Sequence, residues 1–261
     1  MSANLTPPAG ADTLLAMPAR KVLVLEKKES DWVPFLEEFF EDTGADVTFS
    51  HDAASAQALV ERIFPDILFF NSNLLAMPLA QKFKAFKQST PAFRIFQLGP
   101  AQRNNFGLPI DDLFETVPSL ILFQKQLVQH LPLPETVNVL VIDDEHEIGS
   151  MVRDFLASRV HPSFAVEYVD NGKKGIEAME KKKPDVVVLD VKMPVMDGRE
   201  VYREMARRGL KIPVVVFFDA ISGDEMVEIH KVGRPAVVDK GSRQSAMPEM
   251  MALIKKMAYF G

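Results

Sequence analysis

Three aspartates carry the most chemical information in this chain. Asp190 closes an apolar, β-branched run, Val186-Val187-Val188-Leu189, which follows Pro184-Asp185. Asp143 and Asp144 close a second run, Val139-Leu140-Val141-Ile142, with Glu145 behind them. A carboxylate in such a place sits where a buried strand of an α/β sheet opens into a loop, the edge at which open parallel sheets bind ligands. Two strand ends therefore aim three or four carboxylates at one spot. Like charges within a few ångströms raise each other's pKa, so this cluster stays ionised only if a cation joins it. Oxygen-only donors favour a hard divalent ion such as Mg²⁺.

The elements that must position these groups occur twice, at low identity. Lys21-Val22-Leu23-Val24-Leu25-Glu26-Lys27 parallels Asn138-Val139-Leu140-Val141-Ile142-Asp143-Asp144. Pro65-Asp66-Ile67-Leu68-Phe69-Phe70-Asn71 parallels Pro184-Asp185-Val186-Val187-Val188-Leu189-Asp190. Between the members of each pair lies one helical face, Trp32, Val33, Leu36, Phe39 and Phe40 in the first half and Ile148, Met151, Val152, Phe155 and Leu156 in the second. Further strands are expected at 47–49, 93–97 and 113–116, then at 165–168, 214–218 and 236–238. Amphipathic closing segments are expected at 119–131 and 248–260. Strands alternating with helices predict an α/β fold of two doubly wound (βα)5 domains, each with a parallel five-stranded sheet. The expected organisation is a loose leader over 1–20, a first domain over 21–131, a proline-stiffened linker over 132–136 and a second domain over 137–261.

Bulk properties remove several function classes. At 261 residues and 47% hydrophobic, the chain can give each of two domains a full core. A net charge of −6 without a dense basic stripe argues against nucleic acid. Lys181-Lys182-Lys183 and Arg207-Arg208 read as helix ends. The absence of cysteine removes disulfides, thiolate metal sites and a cysteine nucleophile together, and fits a reducing cytoplasm. No apolar stretch is long enough to span a bilayer, and residues 1–20 lack the pattern of a secretory signal.

Residues 137–261 resemble the receiver domain of bacterial two-component response regulators (CheY-like), over the full length of that domain. The resemblance rests on Asp143-Asp144 after the first strand, Asp190 after the third, Met193-Pro194 and Asp197-Gly198 behind it, and Lys240 after the fifth. It implies that Asp190 is the phosphoacceptor, supplied by a histidine kinase or phosphotransfer protein. Asp144 would bind Mg²⁺ directly, Asp143 through water, and the backbone carbonyl of Lys192 would complete the protein's share of the metal site. Lys240 would pair with the phosphoryl oxygens. Elementary chemistry agrees, because a carboxylate attacks phosphorus only when the incoming negative charge is neutralised. Aspartates also cap helices, but three caps converging with a matching lysine make a rarer coincidence than a site. Asp197-Gly198 is expected to form a turn or helix entry.

Two departures stand out. The resemblance places a Thr or Ser at the end of the fourth strand, where this chain has Asp219, a carboxylate that would repel a phosphoryl group. The aromatic switch position of the fifth strand falls on Val237. The first half departs further. Lys27 replaces the metal-binding aspartate, Asn71 replaces the acceptor, and no lysine follows near Thr116-Val117-Pro118. It reads as a pseudo-receiver kept for contact, with Lys27 expected near Asn71 and paired with Glu26. Phe64, Phe83, Phe86, Phe93 and Phe106 are expected in its core.

The leading expectation is a tandem-receiver response regulator without a DNA-binding or enzymatic output domain. Phosphorylation of Asp190 would control contact with a downstream protein, or homodimerisation through residues 224–260. There Met247, Met250, Met251 and Met257 offer an adaptable surface if exposed. The alternative is a phosphorylation-independent scaffold in which Asp219 blocks or mimics the phosphorylated state. An enzyme is not expected. A haloacid-dehalogenase-like phosphatase needs a second aspartate where Lys192 stands, and no G-x-G-x-x-G follows any strand.

Overall fold

The computed structural model describes residues 19–100, 106–131, 134–158, 162–219, 222–241 and 243–260. Residues 1–18 of the expected leader and linker positions 132–133 lie outside the described residues. The first sheet contains β1 (Lys21–Leu25), β2 (Asp46–Ser50), β3 (Ile67–Asn71), β4 (Arg94–Leu98) and β5 (Asp112–Phe114). They run parallel in the order β2-β1-β3-β4-β5. The second contains β6 (Thr136–Ile142), β7 (Ser163–Val169), β8 (Val186–Leu189), β9 (Val214–Phe218) and β10 (Ala236–Asp239). These are also parallel, in the order β10-β9-β8-β6-β7.

The helices of the first half are α1 (Trp32–Phe40), α2 (Ala53–Ile63), α3 (Met77–Ser89) and α4 (Leu120–Leu127). Those of the second are α5 (His146–Ala157), α6 (Gly172–Lys181), α7 (Gly198–Arg208), α8 (Gly223–His230) and α9 (Arg243–Phe260). They cover both faces of each sheet, which is why the central strands are continuous apolar runs. Along β1, Val22 and Val24 enter one buried cluster while Leu23 and Leu25 enter the cluster on the opposite face. The edge strand β7 instead alternates exposed and half-buried residues.

Local signals set the helix ends. Asp197 and Glu200 form a capping box on α7, and Ser222 and Glu225 form one on α8. Arg207 and Arg208 close α7 and pair with Glu204 and Glu180, and Lys181 closes α6. On α1 the buried face is Trp32, Phe35, Leu36, Phe39 and Phe40, with Val33 only half-buried. Of the expected core phenylalanines, Phe83 and Phe93 are fully buried. Phe86 and Phe106 are half-buried, and Phe64, at the left-handed end of α2, is exposed.

Three expectations about the second half need correction. Thr136 belongs to β6 and not to the linker. The last helix starts at Arg243, so Pro248 lies inside it instead of opening it. Most consequentially, the boundary between halves does not separate two cores. Met247, Met250, Met251 and Met257 are buried in the second half's own cluster, so they form no adaptable surface. Tyr259 and Phe260 belong to the first half's cluster, with Phe260 edge-on to Phe39 at 5.6 Å and to Phe40 at 5.2 Å. A helix buried on all sides of its last turn has no free apolar face. A homodimer across the whole of 224–260 would have to pull α9 out of both cores.

Candidate functional site

The chain leaves neighbouring strands β6 and β8 on opposite faces of the sheet, through α5 after β6 and through α7 after β8. A crevice opens at their carboxyl ends. Asp143 follows β6, Asp190 follows β8, and Lys240 follows β10. The Asp190 N–H donates to the Ile142 carbonyl at 2.9 Å, extending the ladder to the site.

Lys240 draws the two aspartates together. Its Nζ donates to Asp143 Oδ2 at 2.8 Å and to Asp190 Oδ1 at 2.7 Å. All three are nearly inaccessible, at 1%, 6% and 4% exposure for Asp143, Asp190 and Lys240. The remaining oxygens are held alike: Asp143 Oδ1 accepts the Glu145 N–H at 2.9 Å and Asp190 Oδ2 accepts the Lys192 N–H at 2.8 Å. Burial pushes both carboxyls above the usual range, although bonds from Lys240 pull the other way. Burial alone would lower the Lys240 ammonium, but its two anionic partners hold it above the usual lysine value. One cation is thus divided between two buried anions.

The convergence is narrower than three or four carboxylates. Asp144 is exposed, and among the described residues no three Asp, Glu or His side chains are gathered closely enough to hold a metal ion. One ammonium bridges two anions, while a third carboxylate does better in water. The donor set still suits a hard divalent cation. It is all oxygen, it carries more negative than positive charge, and the Asp144 charge raises the Asp190 carboxyl further.

A pocket of about 220 Å³ opens beside Asp190, lined by Glu145, Val191, Lys192, Phe218 and Asp219. Asp219 is exposed at its mouth, directly after β9. His146 is exposed in the first turn of α5 and packs its ring against Tyr168.

The loop after Asp190 is tightly built. Met196 donates to the Pro194 carbonyl at 2.9 Å across Val195, an exposed β-branched residue at φ +72°. Asp197 is the α7 N-cap expected of Asp197-Gly198, and the Gly198 N–H donates to the Val191 carbonyl at 3.0 Å. A Cβ on Gly198 would fall 2.2 Å from the Asp190 carbonyl oxygen. Backbone cannot yield as a side-chain tip can, so Gly198→Ala should destabilise by about 3 kcal/mol, the upper end of overpacking costs. An unchanged urea midpoint would refute this. The Asp197-Gly198 pair predicts only a turn or helix entry; the place of Gly198 beside a buried strand end is the signal for this tighter role.

Among the described residues no ammonium reaches the matching place in the first half. Fully buried Glu26 accepts the Asn71 amide at 3.0 and 3.2 Å and the Lys27 backbone N–H at 2.8 Å. The expected Lys27–Glu26 pairing of side chains is corrected. The Lys27 side chain points to solvent, where its charge stays hydrated, and the amide takes its place.

Residues 139–252 match the response regulator receiver domain. This part of the chain is a receiver domain of the two-component response-regulator type. The chain is 34% identical over 85 residues to a protein-glutamate methylesterase/protein-glutamine glutaminase of Treponema denticola, covering 31% of this chain and 22% of that one. It is 29% identical over 121 residues to the response regulator MprA of Mycolicibacterium vanbaalenii, covering 46% and 51%. The chain thus spans at most about half the length of these relatives. Among solved structures, chemotaxis protein CheY4 of Vibrio cholerae is 23% identical, with 46% of this chain and 98% of that one covered and a TM-score of 0.41. Among the described residues no helix is long and apolar enough to cross a membrane.

Proposed function

We propose that this protein accepts a phosphoryl group on Asp190 from a histidine kinase or phosphotransfer protein, and that its first half is a pseudo-receiver kept for contact. The observation that carries this reading is the Lys240 bridge between Asp143 and Asp190 at the edge of an open pocket. Asp190 attacks the phosphorus of a phosphohistidine, the P–N bond breaks, and an acyl phosphate forms while the imidazole leaves. The Lys192 N–H orients the Asp190 carboxylate, and Lys240 offsets charge on the incoming oxygens. Asp143, Asp144, Asp190 and the Lys192 carbonyl would hold Mg²⁺, which supplies charge neutralisation when bound. The product alters protein contacts, with no nucleic acid involved, in the cytoplasm.

Mg²⁺-dependent labelling with acetyl phosphate tests the reading. Wild type should incorporate phosphate and Asp190→Asn should not; equal labelling of both would overturn it. Asp219 lines the pocket and opposes the negative phosphoryl group. Like charges about 4 Å apart in water repel by about 1 kcal/mol, so Asp219→Thr should lengthen the phosphoryl lifetime about five-fold. The same carboxylate favours a second reading, a scaffold whose contacts ignore phosphorylation. Partner binding left unaltered by Asp190→Asn would select it.

A further inference from the structure

The first half grips the receiver's last helix at its far end. Phe260 is fully buried against Phe39 and Phe40. Lys256 on α9 pairs with Asp42 at 2.6 Å, both largely buried, and lies 4.8 Å over the Phe39 ring. Arg20 donates its backbone N–H to the Phe260 carbonyl at 3.1 Å and its guanidinium to the Tyr259 carbonyl. The terminal carbonyls of α9, which the helix itself cannot satisfy, are thus capped from the other domain. A second contact, Arg234–Glu41 at 3.0 Å, joins the segment before β10 to the end of α1.

The near end of α9 begins at the acidic site. Lys240 lies between β10 and Arg243, where the helix starts. Its ammonium holds Asp143 and Asp190 at once. A new group on Asp190 Oδ1 would take the place of the Lys240 bond there and so disturb the bridge to Asp143. The cores on both sides are close-packed, so a shift at the start of α9 must be taken up along it and not absorbed locally.

We infer that α9 is a strut between the acidic site and the first half, which makes α1 and its end (Phe39, Phe40 and Asp42) the built-in receptor of the receiver's state. The first half is then the partner that reads Asp190, and a second chain reaches this face only by displacing it. The inference deepens the proposed function and rests on Asp190 as the acceptor. Coupling of this kind is reciprocal: loosening the far end must change what the site binds.

The test uses the full chain with beryllofluoride and Mg²⁺ as a phosphoryl mimic. Binding is read by calorimetry, and its arrival is read separately at Trp32, the chain's one tryptophan, which lies on α1. Binding should change Trp32 emission and the hydrogen exchange of α1. Lys256→Met, remote from the site, should shift beryllofluoride affinity about five-fold or more, the lower end of typical couplings. Tight binding with unaltered α1 exchange, and equal affinity in Lys256→Met, would overturn the strut and leave the acceptor intact. If beryllofluoride does not bind, the acceptor reading fails and Asp190→Ala and Asp190→Asn decide the strut, since each removes a carboxylate from Lys240. Altered α1 exchange in either would support it, and unaltered exchange in both would overturn it.

Discussion

Lys240→Met should destabilise the protein by about 3–5 kcal/mol near neutral pH, the usual cost of removing one partner of a buried ion pair. The substitution keeps the stem and removes the charge, leaving Asp143 and Asp190 facing each other at 1% and 6% exposure. The loss should depend on pH in a definite direction. Burial already holds both carboxyls above the usual value in the wild type, so the folded chain binds more protons than the unfolded chain above about pH 4. Stability from these two groups therefore falls as pH rises through their folded values and is level above them. Without the ammonium those values rise further, and the fall deepens and extends upward. Lys240 itself, held above the usual lysine value, contributes stability that is lost only in alkali. Urea midpoints of wild type and variant should thus draw together as pH falls from 8 to 5. Equal midpoints at pH 8 would refute the argument.

Phe260→Ala should cost about 3–5 kcal/mol, the range for emptying a buried phenylalanine site. The cavity opens in the first half's core although the residue belongs to the receiver's helix. Its second effect is on cooperativity. Trp32 packs on Phe35, Phe114 and Phe123 and reports the first half alone. Far-ultraviolet dichroism reports both halves. In the wild type the two probes should follow one transition, because α9 is common to both cores. In the variant the Trp32 transition should come first, at lower urea. Coincident transitions at the wild-type midpoint would show that Phe260 does not join the cores.

Much of this protein is legible in its sequence because parallel sheets buried on both faces need continuous apolar runs. Val186–Leu189 and Val214–Phe218 appear as strands within the residues expected of them. Groups that end such runs fall at the same sheet edge by topology alone, so Asp143, Asp190 and Lys240 could be placed together before any coordinates. What escaped depends on competition among neighbours. Lys27 and Asn71 could both answer Glu26, and only the packed site shows the amide winning while the ammonium keeps its water.

Periodicity and strand-end chemistry are local properties, so two α/β halves and the residues that end the strands of the second can be read from the chain alone. Only folding sets Lys240 between two aspartates while Asp144 stays in water. Folding also places the last helix in the buried clusters of both halves. The apolar end of α9 reads the same whether it faces its own sheet, a second chain or the other half. Which surface covers it depends on Phe39, Phe40, Asp42 and Arg20, more than two hundred residues away in the chain and adjacent only after folding.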